Sequence, residues 1–127
     1  TQEAEFDIDS VHTLPRVDIA YAYAGADGLL IRALVDAGVA GIVAGGLGSG
    51  GSPSKMMAAL KAAAHSGVPV VIATQTGNGR VVRTKRYDED GYIVADNLSP
   101  KKTRILLMMA LTKTKDPEEI QRMMLTY

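Results

Sequence analysis

The chain has 127 residues, enough for one domain with a single core, and its 46% hydrophobic and 22% charged residues are typical of a globular protein. The formal net charge is zero, and the longest apolar run, Ile105 to Leu111, is too short to cross a bilayer. Neither nucleic acid nor a membrane is therefore expected as a partner. Cysteine is absent, which excludes disulfides, thiolate metal sites and cysteine nucleophiles, and fits a cytoplasmic or a periplasmic location equally.

The first 15 residues are polar and irregular, and predict a linker before a single domain over residues 16–127. This segment lacks the apolar stretch of a signal peptide, and the chain begins with Thr1 instead of methionine. We therefore expect a processed or excised piece of a longer protein. Some hydrolases use an N-terminal threonine as their nucleophile. The acidic, irregular stretch after Thr1 favours a cleavage boundary instead. His12 and His65 have no second ligand at metal spacing, which predicts surface positions.

Apolar strands alternate with amphipathic helices in the first half of the chain. Strands are predicted over residues 17–25, 40–45 and 68–74, and helices over residues 27–38 and 52–67. Asp27 and Ser52 are candidate helix caps, and Pro53 suits the first turn of the second helix. Gly38 and Gly67 are candidate helix ends. Strands rich in Val and Ile, joined by helices, predict a parallel sheet with helices on both faces.

The second half has a weaker pattern. The basic run Arg80 to Arg86, followed by acidic residues 88–90, predicts a solvated hairpin with local ion pairs. A short strand is predicted over Tyr92 to Ala95, and two helices are predicted after the caps Ser99 and Asp116, each followed by proline. The first of these helices is apolar on more than one face, so we expect a partner subunit to cover it a second time. The whole pattern predicts a three-layer α/β fold with a mainly parallel four-stranded sheet and about four helices.

A glycine cluster in GIVAGGLGSGGSPSK, Gly41–Lys55, links the second strand to the second helix. Gly46, Gly48 and Gly51 fit the dinucleotide pattern G-x-G-x-x-G, but the acidic residue expected about 20 residues further on is missing. The phosphate-binding pattern G-x-x-x-x-G-K-[ST] fails because Lys55 is displaced. Two readings remain open: a turn that uses glycine for its positive φ angles, and a site for a small anion or carboxylate at a helix N-terminus.

Four stretches in chain order resemble the C-terminal domain of bacterial-type L-asparaginases and glutaminase-asparaginases. They are VDIAYAYAGADG, ALVDAGVAGIVAGGLGSG, GVPVVIAT and LSPKKTRILLMMALTKTKDPEEIQRMMLTY. The last is the most specific, since the family typically ends in a Leu-x-Pro-x-Lys-x-Arg-Ile-Leu helix, an LT-x-T-x-D turn and a helix finishing in tyrosine. The resemblance extends over essentially the whole chain and implies a Rossmann-like, parallel four-stranded domain.

The resemblance also implies an activity that this chain would share only in part. Family members hydrolyse L-asparagine, sometimes glutamine, to the acid and ammonia through an acyl-threonine, without metal or organic cofactor. Their catalytic threonines belong to an N-terminal domain that this chain lacks, so no catalytic residue is expected here and the isolated chain should be inactive. Homodimers or homotetramers are implied, in which this domain completes the neighbour's substrate site. The alternative is a non-catalytic module that binds an amino acid or a nucleotide.

The implied substrate contacts fall in the glycine cluster. The family sequence there is Gly-x-Gly-Asn-Gly-x, with an asparagine shortly afterwards that supports the substrate's amino end. In this chain Ser49 stands in place of the first asparagine and Gly51 at the supporting position, so Ser49, Gly50, Gly51 and Ser52 are the predicted substrate-binding residues. A glutamate that many family members contribute falls near Arg86 in a gapless comparison.

Overall fold

Four parallel strands form the centre of the domain in the computed structural model, which describes residues 14–48, 50–77 and 79–127. The strands are β1 (Val17–Tyr21), β2 (Gly41–Gly46), β3 (Val70–Thr74) and β4 (Ile93–Val94), and they lie side by side in the order β1-β2-β3-β4. The helices are α1 (Leu29–Asp36), α2 (Ser54–His65), α3 (Lys85–Asp90), α4 (Pro100–Leu111) and α5 (Pro117–Thr126). Each strand thus pairs with its neighbour in the sequence, as the predicted β–α–β units require.

Two apolar cores fill the space on the two faces of the sheet. Helices α1 and α2 cover one face, where Ile31 and Leu60 pack with Ile42 and Ile72 of the central strands. Helices α4 and α5 cover the other face, and their buried residues pack with Val43 and neighbouring strand residues. Every residue of β2 and β3 is buried, which explains their uninterrupted apolar sequences. The predicted three-layer α/β fold is confirmed.

The helix ends follow the predicted signals except at the starts of α1 and α2. Gly28 holds the N-cap position of α1, and the predicted cap Asp27 lies one residue earlier, where its Oδ1 accepts the Leu29 N–H at 3.0 Å. Ser99 accepts a hydrogen bond from the Lys102 N–H at 3.2 Å, and Asp116 accepts one from the Glu118 N–H at 3.1 Å, so both predicted caps are confirmed. The prediction of Ser52 as the cap of α2 is wrong. Pro53 holds the N-cap position and no side chain bonds to the end of this helix. Proline fits there because it has no N–H of its own to satisfy.

A fifth helix, α3, lies where the sequence predicted a hairpin, so that prediction is wrong and the fold has one helix more than expected. Thr84 caps it by accepting the Tyr87 N–H at 3.1 Å, and Gly91 ends it with φ +85°. Arg83 forms one local ion pair with Asp88 at 2.7 Å and a distant one with Glu118 of α5 at 2.7 Å. The charges therefore attach the helix to its surroundings instead of pairing across a hairpin.

The β4 edge of the sheet is closed by a side chain of α5. The Gln121 Nε2 group donates to the Val94 carbonyl at 2.9 Å, and its Oε1 accepts the Val94 N–H at 2.9 Å. Gln121 is only 3% exposed. Its amide thus gives the backbone of Val94 the two hydrogen bonds that a further strand would otherwise supply. On α4, Leu107 is buried and Ile105 is 54% exposed, so coverage of its second face by a partner remains a prediction.

Candidate functional site

The glycine loop, residues 46–52, begins at the carboxyl end of β2 and closes on itself. Leu47 and Gly51 form an antiparallel bridge, in which the Leu47 N–H donates to the Gly51 carbonyl at 2.7 Å. The Leu47 carbonyl accepts hydrogen bonds from the N–H groups of both Gly50 and Gly51 at 2.9 Å. The loop is therefore a tight turn stabilised by its own backbone. This agrees with the first reading of the sequence, a turn that uses glycine for its positive φ angles.

Glycine is required in this turn by space and by backbone conformation. A side chain at Gly46 would overlap the carbonyl oxygen of Gly50. Gly50 itself has φ +106°, and an added Cβ would lie 2.9 Å from methyl groups of Ile72 and Val81. Both positions exclude larger residues. Of the glycines that suggested a nucleotide fingerprint, Gly46 thus has a structural role in the turn, and Gly48 has a positive φ of +54°.

The second reading, a carboxylate site at a helix N-terminus, depends on which backbone N–H groups are left without a partner. The N–H groups of Gly50 and Gly51 are occupied by the Leu47 carbonyl and cannot hold a ligand without opening the turn. The first turn of α2 offers donors instead, because its first helical bond runs from the Met57 N–H to Pro53. The N–H groups of residues 54–56 have no side-chain cap. They are donors with which this edge could bind a carboxylate.

Ser52 is the predicted site residue with the most informative surroundings. Its Oγ is buried and has no hydrogen-bond partner in the described part of the chain. The residue lines a groove of about 840 Å³ between α2 and α3, together with Ser54 at the start of α2 and the basic side chains of Lys61 and Arg86. The sequence singled out Ser52 and Arg86 separately, and the structure brings them to one groove. Ser49 lies outside the described residues.

The groove has mixed charge. Asp90 pairs with Lys61 at 3.4 Å, while Glu89 lines the groove nearby. Tyr92 also lines it, and its hydroxyl donates to the Met57 carbonyl at 3.0 Å. Burial raises the pKa of Tyr92 to about 12, so the phenol stays neutral at ordinary pH. Among the described residues, no group of three His, Asp or Glu side chains could hold a metal ion.

A second loop, residues 74–79, lies against the glycine loop at the same end of the sheet. The Thr74 hydroxyl accepts the Thr76 N–H at 3.1 Å. A Cβ at Gly79 would lie 2.8 Å from the Gly48 carbonyl oxygen, so glycine allows the two loops to touch. Carboxyl ends of parallel strands are the usual position of ligand sites in open α/β sheets. Asn78 lies outside the described residues.

Gln75 was missed by the sequence reasoning and joins the ends of three strands. Its backbone N–H donates to the Gly46 carbonyl at 2.9 Å. Its side-chain Nε2 donates to the carbonyls of Ala22 at 2.9 Å and Gly45 at 2.7 Å. The one available signal was a polar side chain directly after a buried strand. The glycine loop therefore starts from a backbone that Gln75 holds in place.

No helix in the described ranges is long and apolar enough to cross a membrane. His65, predicted to lie at the surface, is exposed, and His12 lies outside the described residues, as do Thr1 and most of the predicted linker. The predicted boundary between linker and domain therefore remains a prediction.

Comparison with known proteins gives consistent results for sequence and structure. Residues 16–124 match the family model described as the Glutaminase/Asparaginase C-terminal domain. The chain is 38% identical to L-asparaginase 2 of Escherichia coli and 39% identical to a glutaminase-asparaginase of Pseudomonas fluorescens. Both alignments cover 100% of this chain but only 37% and 36% of those proteins, respectively. A crystal structure of a probable cytoplasmic L-asparaginase from Campylobacter jejuni superimposes with a TM-score of 0.94 at 38% identity, covering 100% of this chain and 42% of that one. The chain thus spans well under half the length of these relatives.

Proposed function

Because the chain belongs to the Glutaminase/Asparaginase C-terminal domain family, we propose that it completes the substrate site of an L-asparaginase-like amidohydrolase. The full enzyme would convert L-asparagine and water to L-aspartate and ammonia. Its N-terminal domain would supply the catalytic threonines, and this domain would form a wall of the site in a neighbouring subunit of a homodimer or homotetramer. No metal or organic cofactor is part of the proposal.

The observation that carries the proposal is the uncapped N-terminus of α2 beside the buried, unpartnered hydroxyl of Ser52. Backbone N–H groups at a helix N-terminus favour a carboxylate, and a buried hydroxyl without a partner favours a polar ligand group. An amino-acid amide carries one carboxylate and several hydrogen-bond donors. Ser49 and Gly51 remain proposed contacts through the family resemblance. Because the Gly51 N–H is already bonded, Gly51 would contact the ligand through its surface and not as a donor.

The proposal assigns binding, not bond cleavage, to this chain. Ser52 has no hydrogen-bonded base among the described residues, so nothing there activates its hydroxyl as a nucleophile. We therefore expect no ammonia release from L-asparagine by the isolated chain, and release by the full-length protein. Release by the isolated chain above a blank would overturn this assignment.

Substitutions in the full-length protein test the placement of the loop. Ser49→Ala, Gly51→Ala and Ser52→Ala should each raise KM for L-asparagine. The matched control is Ser66→Ala, because Ser66 lies at the opposite end of α2 and its hydroxyl bonds only locally, to the Ala63 carbonyl at 2.7 Å. Unchanged kinetics in all three loop variants would rule out the proposed contact.

The alternative function, a module that binds an amino acid or a nucleotide without catalysis, has a separate test. Calorimetric titration of the isolated chain with L-aspartate, L-asparagine and ATP should show little heat if half of the site is missing. Tight binding of any of the three would favour the alternative. Exposed Ile105, Leu125 and Tyr127 are consistent with contact to further protein in the assembled enzyme.

A further inference from the structure

Asp96 has an unusual backbone conformation at the carboxyl end of the sheet. It lies two residues after the end of β4, and its φ is +56°. Among the described residues, every other residue with a positive φ is a glycine. The left-handed region is unfavourable for a residue with a Cβ, although asparagine and aspartate tolerate it better than other such residues. Such a conformation persists only where its surroundings hold it.

The contacts of Asp96 hold two consecutive residues of the segment that follows β3. Its carbonyl accepts the Val81 N–H at 2.9 Å, and the two residues form an antiparallel bridge. Its Oδ1 accepts a hydrogen bond from Nε of Arg80. The backbone and the side chain of one residue thus bind the far end of the loop that begins after β3.

The backbone hydrogen bond of Asp96 is the more important of these two contacts. Val81 is 0% exposed, so its N–H could not turn to water if the Asp96 carbonyl moved away. The Arg80 side chain is 66% exposed, and an ion pair in such surroundings contributes little. The conformation that aims the Asp96 carbonyl therefore matters more than the charge of its carboxylate.

Val81 in turn packs against the glycine loop. A Cβ at Gly50 would lie 2.9 Å from a methyl group of Val81, so the two residues are in direct contact. A Cβ at Gly79, two residues before Val81, would lie 2.8 Å from the Gly48 carbonyl oxygen. Residues 79–81 therefore form the surface on which the closed glycine loop rests, and a shift of Val81 would move Gly50.

We propose that Asp96 is a positioning residue, whose left-handed backbone holds Val81 against Gly50 and so fixes the shape of the glycine loop. The inference rests on the proposed function, in which this loop forms part of the wall of a substrate site, and deepens it with a residue that touches no ligand. A loop held in one conformation before the ligand binds loses less entropy on binding. Asp96 therefore contributes to substrate binding and not to bond cleavage.

Three substitutions of Asp96 in the full-length protein separate its conformation from its charge. Asp96→Gly removes the carboxylate and adopts the left-handed conformation freely. Asp96→Asn removes the charge and keeps a side chain that tolerates this conformation. Asp96→Val keeps neither, because a β-branched residue is an outlier at positive φ. If Asp96→Val does not fold, Asp96→Ala replaces it. The matched control is Leu107→Ala, which removes a buried side chain from the core on the other face of the sheet.

Two measurements are made on each variant. The first is KM and kcat for L-asparagine, and the second is hydrogen–deuterium exchange of peptides that cover residues 46–52, read by mass spectrometry. Asp96→Val should raise KM about tenfold with little change in kcat, and should speed exchange in the glycine loop about tenfold. Asp96→Gly and Asp96→Asn should stay within about threefold of the unsubstituted protein in both measurements. Leu107→Ala should lower the melting temperature without either change.

The proposal would be overturned if Asp96→Val resembled Leu107→Ala, with a loss of stability but an unchanged KM and unchanged loop exchange. It would also be overturned if all three Asp96 variants raised KM alike, since the carboxylate and not the backbone would then matter. Failure of the proposed function looks different. The unsubstituted protein would then not hydrolyse L-asparagine, while Asp96→Val would still speed exchange in the glycine loop.

Discussion

Replacing Gln121 should uncouple the sheet edge from α5. In Gln121→Leu, the N–H and the carbonyl of Val94 lose their partners while Val94 stays 1% exposed. Each buried, unpaired backbone group costs about 1–3 kcal/mol, and the additional apolar burial of leucine offsets about 1–2 kcal/mol. We therefore expect the free energy of unfolding to fall by about 1–4 kcal/mol, measured by urea denaturation followed by circular dichroism.

Gln121→Glu makes the same prediction depend on pH. A neutral carboxyl group can imitate the amide, because its O–H donates to the Val94 carbonyl and its C=O accepts the N–H. The pKa of the new carboxyl group should therefore be raised in the folded state above the unfolded value of about 4.3. Stability from this group is present below about pH 4.3 and is lost as the pH rises through the folded pKa. Raising the folded pKa by one pH unit corresponds to about 1.4 kcal/mol, so the deficit should grow by about 2–4 kcal/mol between about pH 4 and pH 7.

The assay measures both variants against the unsubstituted chain at about pH 4 and about pH 7, so that pH effects common to all three cancel. Gln121→Leu should show a similar deficit at both pH values. A deficit for Gln121→Glu that does not change with pH would refute the reasoning, because it would show that the carboxyl group shares no hydrogen bond with β4.

Three further substitutions, two of them with a matched control variant, test the packing of the loop and of the two cores. Gly46→Ala should lower stability by about 2–3 kcal/mol by forcing the glycine loop open, whereas Gly77→Ala, with no atom within 4 Å of the added Cβ, should lower it by less than about 0.5 kcal/mol in the same thermal melt. Tyr92→Phe should cost about 1 kcal/mol and remove a tyrosine step near pH 12 from an ultraviolet titration. Since burial raises the pKa of Tyr92 to about 12, the stability from the neutral phenol is present below about pH 10 and is lost as the pH rises through about 12. Leu107→Ala should cost about 2–5 kcal/mol, whereas Ile105→Ala on the exposed face of the same helix should cost less than about 0.5 kcal/mol in the monomer; equal losses would contradict the assignment of the two faces.

The fold was largely predictable because its signals are local or periodic. Continuous Val and Ile runs identified the buried strands, and side-chain oxygens placed before proline identified the starts of α4 and α5. The start of α2 was misassigned because Ser52 and Pro53 both fit a helix beginning. Which of them is the N-cap depends on where the closed glycine loop ends and the helix begins. Helix α3 was missed because its charged sequence has no apolar period, and its attachment through Arg83 depends on a residue 35 positions away, Glu118.

The candidate site was predictable only in part, because its contacts depend on the turn conformation and on residues distant in the sequence. The glycine cluster marks its loop in the sequence, but the bonded N–H groups of Gly50 and Gly51 depend on the turn that the loop adopts. The Gln75 bridge spans 53 residues to Ala22, and no local pattern indicates such a distance. A polar residue after a strand can suggest a ligand contact, yet only three-dimensional contacts show which of its atoms remains free.

The closure of β4 by α5 has a consequence for synthesis on the ribosome. Gln121 follows Val94 by 27 residues, so the sheet edge is translated well before the side chain that closes it. At about 5–20 residues per second, this interval lasts roughly 1–5 seconds. Until α5 has emerged and packed, β4 lacks this edge partner and the α5 side of the sheet stays uncovered, and both favour association with other chains. Chaperone binding to this protein should therefore be concentrated in the interval between translation of β4 and emergence of α5.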